Sequence, residues 1–177
     1  HAESTDLCRE AVKLGFTSIM HDGSKLPDAQ NRETTAEITA FAHEHGVSVE
    51  AELGEVGGKN GVHDPSARTN PEDAAKFVAD TGVDLLAVAV GSSHAMATRE
   101  AVLDNQLIDA IHELVPVPLV LHGSSGVPDE GMVAAIQAGM TKINVSTHLN
   151  VVFTQGVRQI LDENPKIVDP RKYVGPA

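Results

Sequence analysis

The residues best suited to chemistry in this sequence are three histidines, His1, His94 and His122, and two carboxylates, Asp22 and Glu52. Imidazole nitrogens and carboxylate oxygens are the donors of a Zn2+ site, and a catalytic site of that kind keeps one position open for a reactant. Two loops rich in small polar residues accompany them, Gly123-Ser-Ser-Gly126 directly after His122 and Asn144-Val-Ser-Thr147. Backbone N–H groups in such loops, and the start of a following helix, can hold an anion such as a phosphate. The competing reading is plain: a lone loop histidine is usually exposed or hydrogen-bonded, and the same Ser and Thr groups cap helices. His21, His43, His45, His63, His112 and His148 are read that way, with His43 and His45 at a helix C-terminus that favours a cation. Glu50 and Glu52 share one facing in a strand, so burying both requires a metal or a Lys beside them.

These residues gain weight from where the elements put them. Ser4 can cap a helix with apolar positions Leu7, Cys8, Ala11, Val12 and Leu14, ended by Gly15 before an apolar strand, Phe16 to Met20. A helix from about Asn31 to His45, with Ile38, Phe41 and Ala42 inward, ends at Gly46 before the strand Val47 to Leu53. Asn70-Pro71 opens a helix that Gly82 ends before the strand Val83 to Val90. Leu103 to Leu114 leads to the strand Pro118 to Leu121; Pro128 to Gly139 leads to the strand Lys142 to Val145. A helix from Thr147 to Leu161 and a Pro-rich tail, Asn164 to Ala177, complete the pattern. Helix and strand in strict alternation predict a parallel sheet covered on both faces. A doubly wound sheet and a (β/α)8 barrel both satisfy that pattern. No Gly-x-Gly-x-x-Gly follows a strand, which weighs toward the barrel, and five strands would be most of one if three βα units preceded His1. In a barrel, Asp22, Glu52, His94, His122 and Asn144 all fall at the carboxyl rim, and His1 falls where a preceding strand would end.

Composition removes other classes. The chain has 177 residues, enough for one well-packed domain spanning 1–177, and 41% of them are hydrophobic. Its net charge of −12 and lack of a Lys/Arg cluster exclude nucleic-acid binding through a basic face. No apolar run approaches a membrane span. A lone cysteine, Cys8, excludes an internal disulfide, is read as packing and fits a cytoplasmic protein.

The motifs Ser18-Ile-Met-His-Asp-Gly-Ser-Lys-Leu-Pro27, Val49-Glu-Ala-Glu-Leu-Gly54, Gly57-Gly58, Val88-Ala-Val-Gly-Ser-Ser-His94, Leu119-Val-Leu-His-Gly-Ser-Ser-Gly-Val-Pro128, Lys142-Ile-Asn-Val145 and Asp169-Pro-Arg-Lys-Tyr173, in this order, resemble the class II, metal-dependent ketose-bisphosphate aldolases, nearest the fructose- and tagatose-bisphosphate branch. The resemblance implies a (β/α)8 TIM barrel of which this chain supplies roughly the last five βα units. It implies His1, His94 and His122 as zinc ligands, with Asp22 and Glu52 at positions of a second or alternative metal site. Ala95, Gly123, Ser124, Ser125, Asn144, Val145, Ser146 and Thr147 match the segments that bind dihydroxyacetone phosphate, with a monovalent cation near the phosphate in some members. Ala95 stands where the family has Gly.

The reaction implied is reversible cleavage of a ketose 1,6-bisphosphate to dihydroxyacetone phosphate and glyceraldehyde 3-phosphate through a zinc-stabilised enediolate that Asn144 contacts. No Lys is read as a strand residue placed for a Schiff base. The family's acid/base Asp stands immediately before the first ligand His, so it is expected one residue before His1. The family's acidic residue in the loop after Gly57-Gly58 is replaced here by Lys59-Asn60-Gly61. Three βα units are expected before His1 and a further helix after Ala177, and a homo-oligomer, dimer or tetramer, is expected by the same resemblance. The alternative class is a non-catalytic sugar-phosphate-binding or assembly subunit, against which three converging histidines speak.

Overall fold

The computed structural model describes residues 1–54, 67–93, 96 and 98–177. Five strands, β1 (Ser18–His21), β2 (Ser48–Leu53), β3 (Leu85–Val88), β4 (Leu119–Leu121) and β5 (Met140–Ile143), form one sheet in the order in which they occur. Every neighbouring pair is parallel. A doubly wound sheet reverses direction from its first strand, so this uninterrupted order is that of a barrel wall. Ala2 adds a parallel bridge to His21, with its N–H donating to Met20 O at 3.0 Å and its carbonyl accepting from Asp22 N at 3.0 Å. His1 therefore stands beside the carboxyl end of β1, as the sequence predicts.

The connecting helices are α1 (Thr5–Lys13), α2 (Asp28–Glu44), α3 (Pro71–Thr81), α4 (Asn105–Leu114), α5 (Asp129–Gln137) and α6 (Thr147–Glu163), with a short α7 (Arg171–Val174) in the tail. Their starts follow from their caps. Ser4, Asn70 and Asp104 each accept from a backbone N–H three residues on, Leu7, Asp73 and Leu107. Gly82 closes α3 at φ 68°, a left-handed geometry that an L side chain adopts only with strain. Cys8 and Val12 of α1 and Ile38 and Ala42 of α2 are buried with the sheet residues Val49, Leu86 and Leu119 in one core.

Three local expectations change. Leu7 and the C-cap Leu14 are 53% and 72% exposed, because α1 meets the core through Cys8 and Val12, with Ala11 packed beside them. The tail carries α7, whose first turn is held by Asp169 accepting from the Arg171 N–H and guanidinium. The last strand, expected from Lys142 to Val145, is β5 at Met140–Ile143, and the placement of Lys142 in it depends on an irregularity. Leu119 pairs with Met140 but Val120 pairs with Lys142, so Thr141 is bulged out of register. The extra residue re-aims the side chains beyond it. Partners across a parallel pair share a face, so the pairs Met20–Glu50, Glu52–Ala87, Ala87–Val120 and Val120–Lys142 put all of these residues on one side. Asn144, whose N–H donates to Leu121 O at 3.0 Å, continues that face past the end of β5.

Candidate active site

Four residues from three strands, β2, β4 and β5, meet on this interior face. Glu50 and Glu52, on β2, are 2% and 0% exposed, and His122, at the end of β4, is 0% exposed. His122 Nδ1 lies 3.0 Å from Glu52 Oε2, and its Nε2 lies 2.8 Å from Glu50 Oε1. Lys142 Nζ donates to Glu50 Oε2 at 2.5 Å. Two strands separate Lys142 from Glu50, which in a flat sheet would hold their backbones about 14 Å apart at about 4.8 Å per strand. Their contact requires the sheet to curl as a barrel wall does. The Lys required beside the buried carboxylate pair is thus Lys142.

Charge follows from these contacts. Burial works against the His122 cation, but its hydrogen bonds to the Glu50 and Glu52 carboxylates, and their charge, outweigh it, so the ring's pKa is raised. Burial likewise acts to raise the Glu50 pKa, and its bonds to His122 and Lys142 overcome that and lower it. The His1 ring sits 4.6 Å from the His122 ring, centroid to centroid. His1 Nδ1 lies 3.2 Å from Asp22 Oδ2, while Asp22 Oδ1 accepts from the Ser24 N–H at 3.2 Å and its hydroxyl at 2.6 Å. Asp22 therefore backs His1 from behind.

One nitrogen each of His1 and His122 and one Glu52 oxygen all lie within 4.8 Å of one another. Donors around a four-coordinate Zn2+ are about 3.3 Å apart at bond lengths near 2.05 Å. Two imidazoles and a carboxylate at this spacing fit the ion, with a modest inward movement of the side chains. His94 and Ala95 lie outside the described residues, as do His63, Gly57-Gly58 and Lys59-Asn60-Gly61.

Beside this group is a cavity of about 160 Å³ lined by His1, Gly123, Ser124, Ser125, Asn144, Val145, Ser146 and Thr147. The structure thus brings together the two loops that the sequence paired. The simple capping explanation does not describe them. Pro128, before α5, and Ser146, before α6, make no side-chain cap bond. Instead Ser125 Oγ accepts from the His148 N–H at 3.1 Å, so the β4 loop caps the helix after β5. Ser124 Oγ donates to Asn144 O at 2.5 Å, fastening the same two loops. The positive end of the 17-residue α6 is directed at the cavity. Gly123, at φ 65°, lets this loop press on the β3 loop: a Cβ there would lie 2.6 Å from the Ser93 carbonyl.

Elsewhere His21, His43 and His45 have ordinary partners. His21 is buried between Cys8 Sγ, 4.0 Å from Nδ1, and Thr34 Oγ1, 3.3 Å from Nε2. His43 Nε2 lies 2.9 Å from Asp84 Oδ2, and His45 Nδ1 donates to Phe41 O at 2.8 Å. Sequence reasoning did not assign roles to Glu50 and Lys142. The available signal was spacing, since each stands two residues before an assigned partner, Glu52 or Asn144, on the same strand face.

Comparison with known proteins agrees with this architecture. The family model for class-II fructose-bisphosphate aldolase matches residues 1–177. The fructose-bisphosphate aldolase of Geobacillus stearothermophilus is 41% identical over 99% of this chain and 62% of its own length. That of Staphylococcus epidermidis is 41% identical over 100% of this chain and 63% of its own length. Among solved structures, the YdjI aldolase of Escherichia coli K12 has a TM-score of 0.80 at 34% identity, covering 98% of this chain and 60% of that one. A fructose-1,6-bisphosphate aldolase from Coccidioides immitis, described there as putative, has a TM-score of 0.82 at 30% identity, covering 99% and 63%. The chain therefore spans somewhat under two thirds of the relatives it matches. With its five parallel strands and alternating helices, it has the TIM-barrel fold of these enzymes and belongs to the class II fructose-bisphosphate aldolase family.

Proposed function

We propose that the protein is a zinc-dependent aldolase that cleaves a ketose 1,6-bisphosphate, of the fructose or tagatose configuration, to dihydroxyacetone phosphate and glyceraldehyde 3-phosphate. The observation that carries this reading is the adjacency of the His1–Glu52–His122 donor group to the cavity between the β4 and β5 loops. A three-carbon phosphate needs its oxygens near a cation and its phosphate a few bonds away. His1, His94 and His122 are the proposed ligands of Zn2+, with Glu52 and Asp22 in supporting or alternative positions. Zn2+ held there would act as a Lewis acid on the ketone and hydroxyl oxygens of dihydroxyacetone phosphate.

The chain's own residues supply the rest. Backbone N–H groups of Gly123 to Ser125 and of Val145 to Thr147, at the start of α6, bind the phosphate. Ala95, by its match to the family motif, is a further proposed phosphate-site residue. The Asn144 side chain donates to the oxyanion that develops as the carbon–carbon bond breaks. A phosphorylated sugar as substrate, a cytoplasmic location and a homo-oligomeric state complete the proposal.

The test is an assay of the full-length protein on both bisphosphate epimers, following triose phosphate release. Cleavage is expected to vanish on complete chelation and return with zinc. Asn144→Ala is expected to lower kcat about 100- to 1,000-fold. Full activity after exhaustive chelation would reject the metal role. Phosphosugar binding without cleavage in the presence of zinc would favour the binding-subunit alternative.

A further inference from the structure

Glu50 is a deeply buried carboxylate that no step of the proposed reaction uses. Its two oxygens are committed to different partners, Oε1 to His122 Nε2 at 2.8 Å and Oε2 to Lys142 Nζ at 2.5 Å. The other face of the same imidazole belongs to Glu52, 3.0 Å from Nδ1, which groups with His1 as a metal donor. The ring thus stands between two carboxylates of unlike surroundings. Glu52 is turned to the donor group, whereas Glu50 is held by a Lys.

A neutral imidazole has one N–H and one lone pair, and a metal takes the lone pair of one nitrogen only. A carboxylate can only accept, so the nitrogen facing a fixed carboxylate keeps the hydrogen. Lys142 determines which carboxylate stays fixed, because its ammonium neutralises Glu50 and occupies the second oxygen. The bulge at Thr141 makes this possible by turning Lys142 onto the interior face. We propose that Glu50, anchored by Lys142, is a positioning residue that accepts the Nε2–H of His122 and thereby reserves Nδ1 as its metal-binding nitrogen. Asp22, pinned by Ser24, stands against His1 Nδ1 in a comparable way. Outer partners of this kind orient ligating histidines and support metal affinity.

The inference rests on the metal-site reading above but is measured without substrate. In the zinc-loaded, full-length protein a crystal structure is expected to show the metal on His122 Nδ1. Chelator competition is expected to give a zinc Kd about 10- to 100-fold weaker in Glu50→Gln. The Co2+-substituted variant is expected to show an altered d–d absorption spectrum. Lys142→Met keeps most of the side-chain stem and leaves the buried carboxylate chemically intact. It is expected to weaken zinc in the same direction by a smaller factor, so the proposal stays testable if Glu50→Gln does not fold. Ligation through Nε2, or a zinc Kd within about threefold of the parent in the folded variants, overturns it. A parent protein that binds zinc at His122 yet cleaves no bisphosphate would sink the lyase reading and leave this inference standing. An active parent with unaffected variants would do the reverse.

Discussion

Gly123 is the residue whose side-chain absence matters most to the site. Its φ of 65° and the 2.6 Å that would separate a Cβ from the Ser93 carbonyl leave no room for even a methyl group. Gly123→Ala is expected to cost about 1–3 kcal/mol in urea unfolding, through strain and overpacking together. A change below about 0.5 kcal/mol would show that the β3 and β4 loops separate easily. His21 carries a second prediction. Burial, partly offset by a backbone bond at Ala2 and the charge of Asp22, lowers its pKa below 6.5. In the unfolded chain the ring takes up a proton near pH 6.5, whereas the folded ring resists it to lower pH. The unfolded state then binds more protons, so stability falls as pH drops from 6.5 toward the folded pKa. His21→Gln is expected to flatten that part of a stability-against-pH curve, measured by denaturant midpoints. An unchanged slope between pH 6.5 and 5 would remove His21 as the cause.

Helix ends were the most legible features at the next scale, because capping is local chemistry. Asn70 illustrates it: its side chain accepts from the Asp73 N–H at 2.9 Å, and Pro71 follows at the first helical position. Asn70→Ala is expected to destabilise the fold by about 1 kcal/mol, read as a lower melting temperature without loss of helix content at 25 °C. No change in melting temperature would mean that another group replaces the cap. Strand limits were less legible. The apolar run Val83 to Val90 forms a strand only over Leu85–Val88, and β5 starts at Met140 rather than Lys142. Apolar character reports burial, and residues flanking a strand are buried as well, so composition alone does not mark where pairing stops. Leu7 and Leu14 fail for a related reason: periodicity cannot say how wide a stripe the partner surface will cover.

For the molecule as a whole, the uncovered surface is informative. The helix α6 has no buried residue, and Val145, Leu149, Val152 and Phe153 are exposed along it and at its start. β5 offers an unpaired strand edge within the described residues. Apolar surface and an open edge in one region favour self-association. The 177-residue chain prepared by itself is expected to bind a hydrophobic dye and elute larger than a monomer in size-exclusion chromatography. A sharp monomer peak without dye binding would show that this face is covered from within the chain. Among the described residues no helix is long and apolar enough to cross a membrane.

The sequence alone determined the alternation of helix and strand, the caps, and which residue types stand at the strand ends. All of these are set by neighbours within a few positions. It also singled out the loops after β4 and β5, because Gly and Ser clusters are local signals. It could not decide how the two loops fasten to each other, or that Ser125 caps the helix of the other. Nor could it show that Lys142 reaches Glu50. That contact joins residues 92 positions apart and depends on the curl of the sheet and on one bulged residue. A shift of one residue in strand register reverses every later facing along that strand. Pairing decides that register, and pairing exists only in the tertiary structure.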